Sequence, residues 1–281
     1  MRIILKAVAI VLILSLYALV SLCIMALPAK RARKLERLTG NVMFFARLGL
    51  RVLSVRMVVR RLKRKGLRRH RTHYLIISNH LTYVDILVVA SLMPSVFITS
   101  VELRQTFPLG MFAWLGGCLF VERRSPAGLK REIEAIAEVL AQGTSVVLFP
   151  EGTTSNGDTV RPFKNSLITA ALTTGTSLLP VCIRYRAADG QQVDTSNRDS
   201  LYYYGGTTFF QHLPRFLALR SIDVECVVLR PIATHQNQSR KELATRAYQM
   251  ISAAYHERPA GTSQKAIQKL SEDPGFPPAR E

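Results

Sequence analysis

The stretch "IISNHLTYVDILVV", residues 76–89, decides how the sequence is interpreted. An apolar run that predicts a buried strand is interrupted by Asn79, His80 and Asp85 before the apolar pattern resumes. Because burying such groups unpaired is expensive, they either satisfy one another or take part in chemistry. Five residues apart, His80 and Asp85 would not share a face of one helix. We therefore expect His80 in a strand-to-helix turn and Asp85 in the first turn of the following helix.

A carboxylate placed in this way would hold the imidazole in one tautomer and stabilise its protonated form. His80 would then act as a general base. A histidine that only caps a helix is the alternative that the spacing leaves open.

The rest of the chain alternates between two patterns. The short β-rich runs are "YLIIS", "SVFITS", "CLFV", "SVVLF", "LLPVCIRY" and "IDVECVVLRPI". Helical segments lie between and after them, including "AGLKREIEAIAEVLAQG", which ends at Gly143 as a helix C-terminus should. This alternation predicts an α/β fold with a mostly parallel sheet flanked by helices, in a domain of residues 73–256. The polar, proline-bearing residues 257–281 are predicted to form a mobile tail.

The N-terminal residues predict a membrane anchor. Residues 7–27 carry no charge and are long enough to cross a bilayer core, so residues 1–29 are interpreted as a transmembrane or membrane-embedded anchor. A cleaved signal peptide would have a shorter apolar region. Residues 30–72 hold sixteen Lys/Arg and one acid, Glu36, of a chain with net charge +19. We interpret this segment as a helical, basic, membrane-surface region.

The charge distribution also predicts topology and partners. The cations after the anchor outnumber Arg2 and Lys6, which predicts that the residues after the anchor lie on the cytoplasmic side of the membrane. A basic surface suits nucleic acid as well as anionic lipid. The adjacent apolar span and the absence of interleaved aromatic residues favour membrane lipids, so no nucleic-acid partner is expected.

Two further polar clusters follow predicted strands. "GGCLFVERR" places Arg123 and Arg124 after one strand, and "VVLFPEGTTSNG" places Glu151 and Gly152 after another. Since open α/β sheets bind ligands at such strand ends, we expect the clusters to converge with His80. The four cysteines show neither metal-ligand nor disulfide-framework spacing, and no metal site is expected.

Four segments in order, "NHLTYVD", "GCLFVER", "FPEGTTS" and "LLPVCIRY", resemble the motifs of the glycerolipid acyltransferase family, which includes bacterial 1-acyl-glycerol-3-phosphate acyltransferases. The resemblance implies that His80 and Asp85 are the catalytic pair. It also implies that Arg123 binds the acceptor's phosphate and that Pro180 lies beside the path of the acyl donor. The substrate-binding residues that it implies are Gly117, Phe120, Arg123, Glu151, Gly152 and Thr153.

The implied reaction moves an acyl group from acyl-CoA or acyl-carrier protein to the free hydroxyl of a lysolipid, without a cofactor. The expected acceptor is 1-acyl-sn-glycerol-3-phosphate, which would give phosphatidic acid, and the alternative is a lyso-ornithine lipid or another lysophospholipid. Thr154 stands where many such enzymes have arginine, which favours the alternative of a lyso-ornithine-lipid acyltransferase, although Arg161 and Lys164 are cations available to replace it. A lipase or esterase would need an activated nucleophile, and the chain has no Gly-x-Ser-x-Gly sequence. A non-catalytic lipid-binding protein and the oligomeric state are left open.

Overall fold

The fold is built on one sheet, seen in a computed structural model that describes residues 1–61, 73–122, 126–235 and 237–257. Within these residues the sheet has eight strands, in the order β1-β8-β6-β2-β5-β3-β4, and β7 pairs with β6. The strands are β1 (Val55–Arg61), β2 (Leu75–Ser78), β3 (Ser95–Ser100), β4 (Leu119–Val121), β5 (Ser145–Leu148), β6 (Leu178–Ala188), β7 (Gln191–Gln192) and β8 (Ile222–Val228).

The strand directions confirm the predicted mostly parallel sheet. Strands β2, β3, β4, β5 and β6 all run parallel to one another. Strand β8 runs antiparallel to β6, and β1 then pairs in parallel with β8, so these two reverse direction at one edge. The carboxyl ends of β2, β5 and β6 therefore meet at the same edge of the sheet.

Helices cover both faces of the sheet, as the alternating pattern predicted. The helices are α1 (Arg2–Ala26), α2 (Arg31–Val52), α3 (Val84–Leu92), α4 (Val101–Arg104), α5 (Leu109–Leu115), α6 (Pro126–Ala141), α7 (Thr169–Thr174), α8 (Phe209–Ala218) and α9 (Arg240–His256). Helices α2, α3 and α8 pack with Ile76 on one face, whereas α6, α7 and α9 pack with Leu75 and Ile77 on the other. The central strand thus buries alternate side chains in two separate cores. Gly143 follows α6 with a φ of 79°, as expected of a helix C-terminus.

The prediction that residues 30–72 are helical is correct for α2 and wrong for residues 55–61. After α2, Ser54 adopts a positive φ of 61° and the chain continues as β1. Its β-branched valines pair in register with β8, from Val55 opposite Ile222 to Arg61 opposite Val228. The sheet therefore begins before residue 73. The remaining residues of the basic segment, 62–72, and the predicted tail from residue 258 lie outside the described residues.

Two arginines of β1, Arg56 and Arg60, form ion pairs with β8 rather than reaching lipid headgroups, which corrects the interpretation of this strand as membrane-surface helix. Arg56 binds Asp223 through two hydrogen bonds of 2.6 and 3.0 Å. Arg60 donates to Glu225 at 2.8 Å. Because strand residues four apart lie on one face, both arginines reach carboxylates of the neighbouring strand.

Glu225 is the centre of a larger cluster. Besides Arg60, it accepts hydrogen bonds from Arg184 at 2.8 Å and from Arg186 at 2.6 Å. Burial raises the pKa of Glu225, but the hydrogen bonds from Arg60 and Arg186 outweigh burial, so its pKa is lowered. Arg184 also donates to the backbone oxygens of Ala254 and Glu257 at the end of α9. This carboxylate therefore joins β1, β6, β8 and α9.

Helix α1 packs against the rest of the protein at both of its ends. Near its start, Lys6 is buried and donates to the backbone oxygen of Leu219, after α8, at 2.6 Å. Further along, the Tyr17 hydroxyl donates to the Phe112 oxygen at 2.9 Å, and Lys34 of α2 donates to the Met25 oxygen at 2.7 Å. Lys6 is one of the two cations that precede the apolar residues 7–27, and in the structure it is buried against the end of α8.

The two carboxylates of β8 provide a matched test of the cluster. Replacing Glu225 by Gln leaves Arg184, whose side chain is 3% exposed, without its counter-ion. We expect this to lower the free energy of unfolding by about 3 kcal/mol. In the control, Asp223→Asn breaks a pair whose arginine is 66% exposed and should cost less than about 1 kcal/mol. Denaturant unfolding measures both variants, and equal losses would contradict the assignment.

Candidate active site

His80 and Asp85 form a hydrogen-bonded pair in the turn between β2 and α3. Strand β2 ends at Ser78 and α3 begins at Val84, so His80 lies in the turn and Asp85 in the first helical turn. The His80 Nδ1 lies 3.0 Å from the Asp85 Oδ2. The geometry expected from the spacing is confirmed.

The Asp85 carboxylate is fully buried and has four hydrogen-bond donors around it. Its Oδ2 accepts the backbone N–H groups of Leu81 at 2.5 Å and Thr82 at 2.9 Å in addition to bonding His80. Its Oδ1 accepts the Tyr185 hydroxyl at 2.7 Å. Burial, together with the charge of Asp85, raises the pKa of Tyr185 well above its ordinary value, so the phenol remains a donor. These bonds compensate the cost of burying the carboxylate.

Asn79 explains the first polar interruption of the apolar run. Its side-chain amide donates to the Ile183 oxygen at 2.9 Å and accepts the Ile183 N–H at 2.8 Å. The side chain thereby continues the pairing of β2 with β6 for one more position while the backbone turns away. Asn79 consequently fixes where the His80 turn leaves the sheet.

Glu151 joins the end of β5 to the same turn. Its Oε1 accepts the backbone N–H of His80 at 2.7 Å, and its Oε2 accepts that of Arg161 at 2.9 Å. Burial raises the pKa of Glu151 to about 7. The Ser155 N–H also donates to the His80 oxygen, at 3.1 Å. Two of the predicted strand-end clusters therefore converge, and Glu151 positions the backbone of the histidine.

The His80 ring is held so that one nitrogen is turned away from Asp85. The ring stacks on Phe149, with centroids 4.2 Å apart and planes 19° apart, and the side chain is 17% exposed. With Nδ1–H directed to Asp85, the Nε2 carries the lone pair. This arrangement can take a proton from a hydroxyl group that reaches the strand end. Among the described residues, no cluster of His, Cys, Asp or Glu side chains is placed to hold a metal ion.

A lysine lies over the segment that follows Glu151. Gly152 has a φ of 77°, and a Cβ built there would lie 3.0 Å from the Lys164 Nζ. Thr153 is exposed beside it. Lys164 thus brings a cation to the segment that contains the uncharged Thr154.

The remaining predicted residues lie at the far edge of the sheet. Gly117 precedes β4, and Phe120 belongs to it. Two strands, β5 and β3, separate β4 from β2. A Cβ at Gly117 would lie 2.9 Å from Leu35 of α2, and the Arg104 guanidinium lies 5.7 Å from the Phe120 ring centroid. The described contacts do not bring either residue to His80. Arg123 and Arg124 lie outside the described residues.

Sequence reasoning missed the roles of Tyr185 and Phe149. Both belong to apolar runs that were interpreted as strand, and a buried aromatic residue in such a run is ordinary. Tyr185 shares a sheet face with Val181 and Ile183 by the period of two, which predicts burial but no partner. Only the pairing of β6 with β2 brings its hydroxyl to Asp85.

Comparisons with known proteins identify the family of the segment that holds this site. The model of the family described as Acyltransferase matches residues 58–184. The chain is 33% identical over 179 residues to a lyso-ornithine lipid O-acyltransferase of Pseudomonas aeruginosa, covering 63% of this chain and 66% of that protein. The chain belongs to this acyltransferase family.

Two further matches describe the range of the family. A 1-acyl-sn-glycerol-3-phosphate acyltransferase of Neisseria gonorrhoeae is 32% identical over 123 residues, covering 44% of this chain and 48% of that protein. The crystal structure of the 1-acyl-sn-glycerophosphate acyltransferase PlsC from Thermotoga maritima superposes with a TM-score of 0.66 at 19% identity, covering 93% of this chain and 98% of that one. The structural match shows a shared fold. The sequence matches span about two thirds, or less, of the curated relatives' own length.

Proposed function

We propose that the protein is a membrane-bound O-acyltransferase that moves a fatty acyl group from a thioester to the hydroxyl of a lysolipid. The observation that carries this proposal is the His80–Asp85 pair at the strand end of a chain in this family. Acyl-CoA or acyl-carrier protein is the proposed donor, and no cofactor is required by the chemistry. The proposed catalytic residues are His80, as general base, and Asp85, which orients it.

The proposed reaction needs no enzyme nucleophile. The His80 Nε2 takes the proton of the acceptor hydroxyl while the oxygen attacks the thioester carbonyl carbon. The tetrahedral intermediate collapses, the carbon–sulfur bond breaks, and the thiolate receives the proton from the imidazolium. Asp85 stabilises the imidazolium during these steps, and its four hydrogen bonds keep it in place.

The structure of α1 supports a particular mode of membrane attachment. The helix is long and apolar enough to cross a membrane, yet its packed face contacts the catalytic domain from Lys6 to Met25. A spanning helix would place these ends on opposite sides of a core about 30 Å thick. We therefore propose that α1 lies along the membrane surface with its outward face in lipid. The basic residues that follow α1 favour the anionic cytoplasmic leaflet, and we propose this side of a bacterial inner membrane.

Two acceptors are supported by specific observations. The match to the lyso-ornithine lipid O-acyltransferase covers more of both chains than the match to the 1-acyl-sn-glycerol-3-phosphate acyltransferase, and Thr154 lacks a charge. These favour lyso-ornithine lipid as the acceptor. Lys164, which lies over Gly152, supplies a cation for a phosphate and supports 1-acyl-sn-glycerol-3-phosphate as the second candidate.

His80→Ala tests the mechanism. Loss of the base should reduce transfer by at least about 100-fold, because no other described group is hydrogen-bonded to Asp85 in an orientation to accept the hydroxyl proton. Thiol release from the acyl donor, measured with and without lysolipid, reports the reaction. His235→Ala, at an exposed histidine, is the matched control and should retain activity. Near wild-type transfer by folded His80→Ala protein would overturn the mechanism.

Tyr185→Phe tests whether the phenol positions Asp85. The hydroxyl stabilises the carboxylate charge at Oδ1, so its loss leaves a carboxylate that stabilises the protonated imidazole more strongly. The acid limb of the kcat/KM profile should therefore move to higher pH, with kcat reduced roughly tenfold.

The control for this variant is Tyr202→Phe, a buried tyrosine whose ring centroid lies 5.7 Å from that of Tyr185. It should leave the acid limb in place. A purely structural role of Tyr185 predicts instead lower stability with an unmoved acid limb.

The acceptor is decided by competition between lyso-ornithine lipid and 1-acyl-sn-glycerol-3-phosphate. Thr154→Arg adds a charge-assisted contact for phosphate and should raise the ratio of phosphatidate to ornithine lipid roughly tenfold. Lys164→Ala should lower that ratio if Lys164 binds the phosphate. Mass spectrometry of the two products measures it. A wild-type protein that strongly prefers the phosphate acceptor would refute lyso-ornithine lipid as the first choice.

A further inference from the structure

Helix α5 presents an exposed apolar stripe that the catalytic residues do not use. Met111 and Trp114 are three residues apart on α5, which is the spacing of one helix face, and Phe107 lies in the turn that leads into the helix. Phe107 is 80% exposed, Met111 39% and Trp114 48%. Large apolar side chains repeated on one exposed face mark an interaction surface.

This stripe is continuous with the outward face of α1. The inner residues of the three helices form a small core, in which Tyr17 of α1 and Phe45 of α2 pack with Leu115 of α5. Tyr17 also bonds the Phe112 oxygen of α5. Around this core large apolar side chains are exposed on α1 and α5, whereas on α2 Phe44 is exposed among charged residues such as Arg33 and Arg37. The exposed apolar side chains are Ile4, Leu5, Val8, Val11, Leu12, Leu16, Leu19 and Leu22 on α1, Phe44 on α2, and the α5 stripe.

Cations border the surface beside Trp114. The indole lines a cavity of about 280 Å³ together with Met25, Arg31 and Lys34. An aromatic residue next to basic side chains and a long apolar helix is the arrangement found at the headgroup level of membranes. Arg31 pairs with Glu138 at 2.6 Å, whereas Lys34 bonds the Met25 backbone oxygen, which does not neutralise its charge. An anionic headgroup complements that cation, which a second copy of this basic chain would not do.

We propose that α5 is a second membrane-contacting element, which sits with α1 and Phe44 in one leaflet of an anionic phospholipid bilayer, with Trp114 at the headgroup level. The proposal rests on the proposed membrane-bound function. Helix α5 leads directly into Gly117 and β4, after which Arg123 follows in the sequence. A bilayer contact at α5 therefore fixes the height of Gly117 and β4 above the lipid from which an acceptor enters.

The chain's single tryptophan makes the contact directly measurable. The full-length protein is bound to vesicles of phosphatidylcholine and phosphatidylglycerol, with and without bromine on the acyl chains near the glycerol. Trp114 emission should fall at least about twofold on brominated vesicles. The control is the double variant W114F/Q249W, which moves the indole to an exposed position on α9, across the sheet from α1. Its emission should be the same on both kinds of vesicle.

A second variant tests the stripe without a reporter. Phe107→Ser should weaken partitioning into the same vesicles roughly fivefold, because an exposed aromatic ring no longer enters the lipid. Unchanged partitioning, or equal Trp114 emission on both kinds of vesicle while the protein is bound, would overturn the proposal.

Flotation and thiol release on the unbrominated vesicles separate this result from failure of the proposed function. Protein that binds and transfers acyl groups while Trp114 stays unquenched refutes only the α5 contact. Protein that neither binds nor transfers refutes the membrane-bound acyltransferase itself, and with it the premise of the α5 contact.

Discussion

The Asp85 carboxylate sets the main constraint on the structure. A fully buried charge is tolerated only where donors surround it, and here they come from three places: the turn itself, His80 and Tyr185 on another strand. The fourth donor requires β6 to lie beside β2 in a fixed register, which Asn79 secures through the Ile183 backbone. The geometry of the candidate catalytic pair therefore depends on the order and the register of the central strands.

The reversed edge of the sheet incorporates the N-terminal region into the same domain. Strand β1 pairs with β8, and Glu225 connects both to β6 and α9 through three arginines. One of these, Arg184, lies one residue before Tyr185 on β6. A shift of β6 at Arg184 would therefore also displace the adjacent Tyr185, which donates to Asp85.

The two faces of helix α1 lie in different environments. Its inner face carries a buried lysine that bonds the backbone ends of α8 and α2, whereas its outer face is apolar along its length. A helix bound so closely cannot move independently of the catalytic domain. The same side chains that hold α1 thus fix the orientation of the active-site edge relative to any membrane that α1 enters.

The sequence by itself determined the features that depend on local pattern. Strands β2 to β6 and β8, helices α6 and α9, and the His80 turn followed from periodicity and spacing, because each is specified by residues adjacent along the chain. Tertiary structure alone decided the rest. Residues 55–61 become a strand because carboxylates on distant β8 pair with Arg56 and Arg60, and Lys6 is buried because two helix ends offer it oxygens. Tyr185 contacts Asp85 only because β6 pairs with β2 in this register. Local periodicity cannot predict such a contact, because the two residues are a hundred positions apart.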